Sequence, residues 1–201
     1  MLNCGRMKET QRALSVILEH LRSSSKKLKK KQVNGFIKTL LGAKRVFVVG
    51  SGRSGLIVRA FAMRLMHLDI DVHVIGETIT PSLREDDLLV AVSGSGETSF
   101  AVSAAKTAKS IGAKIVVITS YSRSTLAKLA DHIVTLPGRT KTAFIKSHLD
   151  RQIVGEYESL TPLGTLFEVT SLVFLDSVIA SLMTKLGQKE EALRARHATI
   201  E

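Results

Sequence analysis

The sequence predicts an α/β protein built on a doubly wound, five-stranded parallel sheet that is flanked by helices. Three observations lead to this fold class. Short Val- and Ile-rich runs recur along the chain, and they are apolar throughout, as in strands that are buried on both faces of a sheet. Segments with helical periodicity separate most of these runs, which is typical of crossover helices in parallel sheets. Glycine-rich loops follow the first and the third run directly.

The composition is that of a globular chain with a hydrophobic core. The 201 residues are 44% hydrophobic and 23% charged, which excludes a disordered chain and a collagen-like fibre. The single cysteine, Cys4, cannot form an intrachain disulfide. The first residues lack the apolar segment of a signal peptide, and no apolar run approaches the ~18 residues of a membrane span. We therefore expect a cytoplasmic protein without a membrane partner.

The positive charge of the chain is concentrated near its N-terminus. Residues 1–45 contain 12 Lys and Arg residues against 2 Asp and Glu residues, whereas the remaining 156 residues contain 17 against 16. A lysine-rich segment of this kind can bind polyanions, but a solvated helix face is the simpler interpretation. Tryptophan is absent and other aromatic residues are few, so no platform for stacking on bases is evident. We expect no nucleic-acid partner.

Residues 1–44 are predicted to form a helical arm that packs on a core domain of residues 45–201. Apolar side chains recur at helical spacing within residues 14–21 and 33–41. Between these two groups, the Ser- and Lys-rich stretch 23–31 predicts an exposed turn or a polar helix face.

The core domain is predicted to contain five strands and several helices. The strands are expected at residues 45–50, 71–76, 87–93, 114–120 and 132–138, and the clearest crossover helices at 56–68 and 99–111. The polar stretch 139–159 predicts a loop or a partly helical insertion.

The last part of the chain is predicted to be helical. Segment 161–187 has Pro162 near its start and Gly187 as a C-cap. Because this helix is apolar on nearly every side, we expect it to be buried by the sheet and by a partner subunit. A charged helix at 188–197 follows.

The loop after the first strand predicts an anion site. Gly50, Gly52 and Gly55 form a G-x-G-x-x-G pattern immediately before a helix. Such a loop directs backbone N–H groups and a helix N-terminus toward a bound anion. Arg53 lies in the same loop, where its guanidinium can pair with a phosphate or hold sugar hydroxyls. On its own this pattern is only a weak indication of dinucleotide binding.

A second glycine loop, residues 93–98, follows the third strand. Its glycines allow close backbone approach, and the hydroxyls of Ser93, Ser95 and Thr98 can donate to phosphate oxygens. The alternative is a simple turn in which Thr98 serves only as a helix N-cap. In the flavodoxin-like strand order 2-1-3-4-5, the first and third strands are neighbours, and a crevice opens at their carboxyl ends. The two loops then flank one cleft, which predicts a small phosphorylated ligand.

Common nucleotide cofactors fit the remaining motifs poorly. The two loops leave no obvious adenine pocket for NAD, although Glu77 after the second strand keeps a ribose contact open. The Tyr-x-x-x-Lys pair of short dehydrogenases is missing, and so is the G-x-x-x-x-G-K-[ST] motif of P-loop ATPases. The histidines share no ligand spacing with carboxylates, so we expect no metal.

Three ionisable residues are candidates for chemistry. Glu168 lies inside the predicted apolar helix, where burying a carboxylate is costly. It is either paired with a basic residue or turned to a solvated edge, or it is a general base adapted by apolar surroundings. His67 ends the first crossover helix, where it can complement the helix dipole, fill the core or shuttle protons. His197 is most simply an exposed tail residue, although the tail could reach a neighbouring subunit's cleft.

Five segments together resemble the sugar isomerase (SIS) domain, and within it the 6-phospho-3-hexuloisomerase family: SGRSG, FAMRLMHLDIDVHVIGETITP, SGSGET, PLGTLFE and the tail RH. The resemblance covers residues 45–201. It implies interconversion of D-arabino-hex-3-ulose 6-phosphate and D-fructose 6-phosphate without a cofactor. It also implies a homotetramer that works with hexulose-phosphate synthase in formaldehyde fixation by the ribulose monophosphate pathway. Segment 139–159 departs from the family pattern in its length.

The resemblance further implies a role for each site residue. Glu168 would accept the proton, His67 would be a second catalytic candidate, and His197 would come from a neighbouring subunit. The substrate would be held by Ser51, Arg53, Ser93, Gly94, Ser95, Gly96, Glu97 and Thr98. A carboxylate can move a proton between adjacent carbons through a cis-enediol, while His67 or Arg53 stabilises the enediolate oxygen. Two alternatives stay open, an aldose–ketose phosphosugar isomerase and a non-catalytic phosphosugar sensor.

Overall fold

A five-stranded parallel sheet forms the centre of the computed structural model, which describes residues 4–138, 161–162 and 164–197. The strands are β1 (Val46–Val49), β2 (Val72–Val74), β3 (Leu88–Val92), β4 (Lys114–Thr119) and β5 (His132–Thr135). They are hydrogen-bonded in the order β2-β1-β3-β4-β5, and all four neighbouring pairs are parallel. The fold class and the strand order predicted from the sequence are confirmed.

Helices cover both faces of this sheet. Those in the described part of the chain are α1 (Cys4–Lys27), α2 (Lys30–Leu41), α3 (Arg53–His67), α4 (Ser99–Ile111), α5 (Thr125–Leu129), α6 (Thr165–Leu186) and α7 (Glu190–Arg194). Residues of α2, α3, α6 and α7 form a core with one face of the sheet. Residues of α4 and α5 form a second core with the other face.

The two cores explain why the strands are apolar throughout. Successive side chains of a strand point to opposite faces of the sheet. In β1, Val46 and Val48 lie in the first core, whereas Phe47 and Val49 lie in the second. All four side chains are almost completely buried, so no position of the strand tolerates a polar residue.

The structure refines one expectation about the N-terminal helices. Stretch 23–31 was predicted to be an exposed turn or a polar helix face, and it is mostly an exposed helix face, since α1 continues through Lys27; the exception is Ser24, which is buried beside α6. The helix break falls between α1 and α2, where Lys29 is the N-cap residue of α2. Phe36 and Leu40 of α2 are buried in the first core. The domain boundary at residue 44 stays a prediction.

Helix α6 is buried on one side within this chain. By length and composition it could cross a membrane, but Phe167, Phe174 and Leu182 belong to the core of the α/β sheet. Leu172 and Val173 are 37% and 45% exposed, so burial on every side, as predicted, does not occur within one chain. The predicted C-cap is confirmed, because Gly187 adopts the left-handed conformation there. Segment 139–159 lies outside the described residues.

A buried ion pair lies at the amino edge of the sheet. The Arg45 guanidinium donates to both carboxylate oxygens of Asp87, at 3.0 and 2.6 Å, and the Arg84 backbone N–H donates at 2.7 Å. The Asp87 side chain is only 1% exposed. Burial by itself raises the pKa of Asp87, but the hydrogen bonds from Arg45 and Arg84 outweigh it and hold the pKa below its ordinary value.

Replacing Asp87 with Asn should destabilise the fold at neutral pH. Because the pKa of Asp87 is lowered by folding, its contribution is present above its unfolded value near 3.8 and is lost as the pH falls through the folded value. We expect Asp87→Asn to lower the free energy of unfolding by about 3 kcal/mol at pH 7. Urea unfolding at pH 7 and at pH 3 measures this difference, which should shrink at the lower pH.

The exposed neighbour Asp86 provides the control. Asp86→Asn should change the free energy of unfolding at pH 7 by no more than about 0.5 kcal/mol. Equal effects of the two substitutions would show that the Arg45–Asp87 pair does not stabilise this edge of the sheet.

Candidate active site

Two glycine loops leave the sheet side by side at its carboxyl edge. β1 and β3 are neighbours, with Val49 in register with Ala91. The first loop leads to α3 on one face of the sheet, and the second leads to α4 on the other face. A crevice therefore opens between the loops, at the topological switch point where α/β sheets bind their ligands.

The first glycine loop requires glycine at two positions. A Cβ atom at Gly50 would lie 2.7 Å from the backbone oxygen of Ser54, and Gly52 has a φ of +57°. Gly52 is the N-cap residue of α3, and no side-chain hydrogen bond caps the helix there. The N-terminus of α3 therefore keeps the backbone donors that favour an anion. Ser51 lies between the two glycines and is half-buried.

The second glycine loop is ordered by its own hydroxyl groups. The Oγ of Ser93 lies 2.9 Å from Oγ1 of Thr98, and it accepts a hydrogen bond from the Gly96 N–H at 3.1 Å. The Ser95 hydroxyl accepts from the Glu97 N–H at 3.2 Å. Thr98 is the N-cap residue of α4, but its side chain makes no capping hydrogen bond. Thr98 therefore holds the predicted N-cap position, but its hydroxyl pairs with Ser93 within the loop and does not cap the helix.

The loop between β4 and α5 fixes the orientation of the second glycine loop. The Gly94 carbonyl accepts from the Ser120 N–H at 3.1 Å, and the Gly96 carbonyl accepts from the Leu126 N–H at 3.0 Å. In a trans peptide plane, a C=O group and the following N–H group point in opposite directions. The Ser95 N–H therefore points away from β4 and toward the side of the sheet where β1 and the crevice lie.

The crevice contains an ion pair between α3 and α6. The Nε atom of Arg53, the first residue of α3, donates to Oε2 of Glu168 in the first turn of α6. The Arg53 side chain is 62% exposed, whereas the Glu168 side chain is 15% exposed. Gly164 leaves room for this carboxylate, since a Cβ atom there would lie 3.1 Å from Oε1. Of the two interpretations of Glu168, the structure shows its pairing with a basic residue.

A cavity of about 240 Å³ lies beside this ion pair. Its charged side is formed by Arg53 and Glu168, and its apolar side by Leu56, Ile57, Val169 and Leu172. A larger cavity, of about 370 Å³, lies at the amino edge of the sheet, next to Lys44 and Lys114. Because parallel sheets bind ligands at the carboxyl ends of their strands, we assign the site to the smaller cavity.

His67 lies far from the ion pair of the same chain. It ends α3, about 21 Å from Arg53 at 1.5 Å per residue. There its buried ring contacts the ring of His197, with centroids 4.0 Å apart. Arg196 fixes this end by donating to the His67 carbonyl at 3.2 Å. The structure thus brings the two histidines together and leaves both outside the cavity beside Glu168.

Sequence reasoning missed the contribution of residues 120–125. This SYSRST segment is rich in hydroxyl side chains and directly follows a buried strand. One signal could have revealed this contribution: the segment follows β4, which ends at the same edge of the sheet as the strands that precede both glycine loops. The hydrogen bond from the Ser120 N–H to the Gly94 carbonyl shows that the segment contacts the second glycine loop.

Comparisons with known proteins agree with this geometry. A family model described as SIS domain matches residues 39–155. The chain belongs to the SIS domain family. It is 36% identical to a 3-hexulose-6-phosphate isomerase of Bacillus subtilis, over 96% of this chain and 100% of that protein. It is 40% identical to the 3-hexulose-6-phosphate isomerase of Mycobacterium gastri, over 94% of this chain and 89% of that protein.

A solved structure extends the similarity to three dimensions. A hypothetical protein from Methanococcus jannaschii superposes with a TM-score of 0.72 at 33% identity, covering 98% of this chain and 99% of that one. A molecular function of 3-hexulose-6-phosphate isomerase was inferred for that protein from its crystal structure. This name and 6-phospho-3-hexuloisomerase denote the same reaction, so the family resemblance identified from the sequence is confirmed.

The tight contact of Gly96 leads to a prediction about stability. Gly96 has a φ of +67°, and a Cβ atom there would lie 2.0 Å from Oγ of Ser124. We expect Gly96→Ala to lower the free energy of unfolding by about 3 kcal/mol, since it adds steric overlap to backbone strain. Chemical denaturation of the purified variant measures this loss.

Gly187→Ala is the matched control for backbone strain alone. Gly187 has a φ of +63°, but no atom lies within 4 Å of a Cβ built there. Its replacement should cost only about 1 kcal/mol. If both alanine variants lose the same stability, the packing of Gly96 against Ser124 is not a constraint on the loop.

Proposed function

We propose that this chain interconverts D-arabino-hex-3-ulose 6-phosphate and D-fructose 6-phosphate. The observation that carries the proposal is the pairing of Glu168 with Arg53 at a cavity next to the first glycine loop, with the second loop following the neighbouring strand. This arrangement offers a base, a cation and a phosphate site within one SIS domain. The names of the Bacillus subtilis and Mycobacterium gastri relatives support the choice of substrate.

The phosphoryl group of the substrate would bind at the two loops. The Ser95 N–H and the N-terminus of α3 supply backbone donors, and the hydroxyl groups of the second glycine loop lie next to them. Binding of this remote group orients the carbon chain without entering the reaction, so its binding energy contributes to the positioning of the reacting atoms.

Glu168 would move the proton between the two reacting carbons. In the forward direction, its carboxylate removes the proton on C2 of the 3-ulose phosphate, and the C2–C3 bond becomes the double bond of a cis-enediolate. Return of the proton to C3, with transfer of the O2 proton to O3, leaves the carbonyl at C2. The substrate is oxidised at C2 and reduced at C3, so the reaction needs no external oxidant or reductant. General-base catalysis of this kind contributes about 10²- to 10⁴-fold to the rate.

Arg53 would stabilise the negative charge of the intermediate. Its side chain is 62% exposed, so an ion pair with Glu168 holds it only weakly. When substrate enters, the guanidinium can donate to the enediolate oxygen and free the carboxylate for proton transfer. Arg53 takes this role in preference to His67, which lies at the far end of α3 in the same chain.

The proposal includes a homotetramer in the cytoplasm that works with hexulose-phosphate synthase. Exposed apolar side chains on α3 and α6 support self-association, among them Leu56 at 64% and Val173 at 45% exposure. Contact with another copy would remove them from water. In such an assembly, the tail that carries His197 would reach the cleft of a neighbouring copy, whereas the His67 ring is buried within its own chain.

Glu168→Gln should abolish turnover while substrate binding survives. The amide preserves the shape of the side chain but cannot accept the proton, so we expect kcat to fall by about 10²- to 10⁴-fold. Calorimetric titration with fructose 6-phosphate should give a dissociation constant within about threefold of wild type. Retention of full activity in this variant would rule out Glu168 as the base.

Glu85→Gln is the control, because Glu85 is an exposed carboxylate at the opposite edge of the sheet. This variant should keep wild-type kcat and KM. Activity is compared with and without EDTA, and loss of activity on adding EDTA would contradict metal-free catalysis. Turnover measured on a panel of aldose and ketose phosphates identifies the substrate. If the protein is a non-catalytic sensor, it will bind phosphosugars and convert none of them.

A further inference from the structure

The Glu97 side chain makes a hydrogen bond within the protein that a residue binding the substrate would not be expected to make. Its Oε1 atom accepts a hydrogen bond from the backbone N–H of Thr125 at 2.8 Å. Thr125 is the first residue of α5, after the N-cap residue Ser124. The carboxylate therefore joins the end of the second glycine loop to the β4–α5 loop.

We propose that Glu97 is a positioning residue, which holds the second glycine loop in the orientation that binds the phosphoryl group. This inference deepens the proposed function, since it rests on a sugar phosphate as the ligand. It replaces the expectation that Glu97 itself holds the substrate. The backbone hydrogen bonds of Gly94 and Gly96 fix the middle of the loop, and Glu97 fixes its end.

The direction of the contact supports this role. Glu97 accepts from the first turn of α5, which also donates to the Gly96 carbonyl, while the adjoining β4–α5 loop donates to the Gly94 carbonyl. All three acceptors therefore lie on the side away from β1 and the crevice. A carboxylate directed into a phosphate site would repel the anion, whereas one held on the far side orders the loop without occupying the site.

The ionisation state of Glu97 agrees with a hydrogen bond that persists at neutral pH. Hydrogen bonds from the Thr125 side chain and from its backbone N–H lower the pKa of Glu97. The carboxylate thus remains ionised throughout the neutral range, and the hydrogen bond that it accepts is of the stronger, charge-assisted kind. Because Glu97 is exposed, its replacement removes the hydrogen bond to Thr125 without creating a cavity in the core.

The first test compares substrate and phosphate binding in Glu97 variants. For Glu97→Ala, we expect the KM for fructose 6-phosphate and the inhibition constant of inorganic phosphate to rise together by about tenfold, with kcat within about twofold of wild type. Glu97→Gln keeps an acceptor oxygen and should restore both constants to within about threefold of wild type. Glu85→Ala, an exposed glutamate at the other edge of the sheet, should leave all three constants unchanged.

Three results would overturn the proposal. A higher KM with an unchanged inhibition constant for phosphate would mean that Glu97 contacts the sugar directly. A lower kcat with an unchanged KM would make it a catalytic residue. Unchanged constants in Glu97→Ala would mean that the contact has no effect on binding.

A second variant removes the donor of this hydrogen bond, the backbone N–H of Thr125. Proline at position 125 lacks the N–H donor, and the first position of a helix accepts proline. Ser124, with φ −66° and ψ 165°, already has the conformation that precedes proline. Thr125→Pro should reproduce the binding loss of Glu97→Ala, and the double variant should lose no more than either single variant. Additive losses would contradict a shared mechanism.

Thr125→Ala, which keeps the N–H group, is the control for the backbone contact, and its phosphate affinity should stay above that of Thr125→Pro. Calorimetry with inorganic phosphate separates this inference from the proposed function. If wild type binds phosphate but isomerises no phosphosugar, the proposed function fails and the Glu97 comparison can still be made. If wild type is active and the variants bind phosphate normally, only the positioning role fails.

Discussion

The parallel pairing of β1 with β3 is the constraint on which the rest of the site depends. Strand order reverses at this pair, so the chain leaves β1 for one face of the sheet and β3 for the other. The same pairing places both glycine loops at the carboxyl edge of the sheet, where α3 begins at Arg53. Since α6 packs on α3, it also delivers Glu168 to the crevice. One pair of strands thus fixes the positions of the two glycine loops and of the carboxylate relative to each other.

Charge in this protein serves separate purposes in separate places. The basic N-terminal segment carries most of the net charge, yet it lies on helices outside the crevice. At the amino edge, buried Asp87 pairs with the partly buried Arg45. The exposed Arg53 is held only loosely by Glu168, which suits the proposed exchange of this partner for a substrate oxygen. The two ion pairs therefore differ in burial, as their proposed roles require.

The sequence predicted the sheet well because its signals are local. Each strand is apolar on both faces, each glycine loop follows a strand, and Gly187 ends a helix, so neighbours along the chain carried the information. The partner of Glu97 and the stacking of His67 on His197 could not be predicted, since they depend on residues 28 and 130 positions apart that only the folded chain brings together. The burial of Ser24 was missed for the same reason.

A crystal structure with fructose 6-phosphate tests the central claim most directly. The account predicts phosphoryl oxygens within hydrogen-bond distance of backbone N–H groups in residues 93–98, and C2 and C3 within about 3.5 Å of a Glu168 carboxylate from the same or another copy. A sugar phosphate bound at the amino edge beside Lys44 and Lys114, or one beyond the reach of every Glu168, would contradict it.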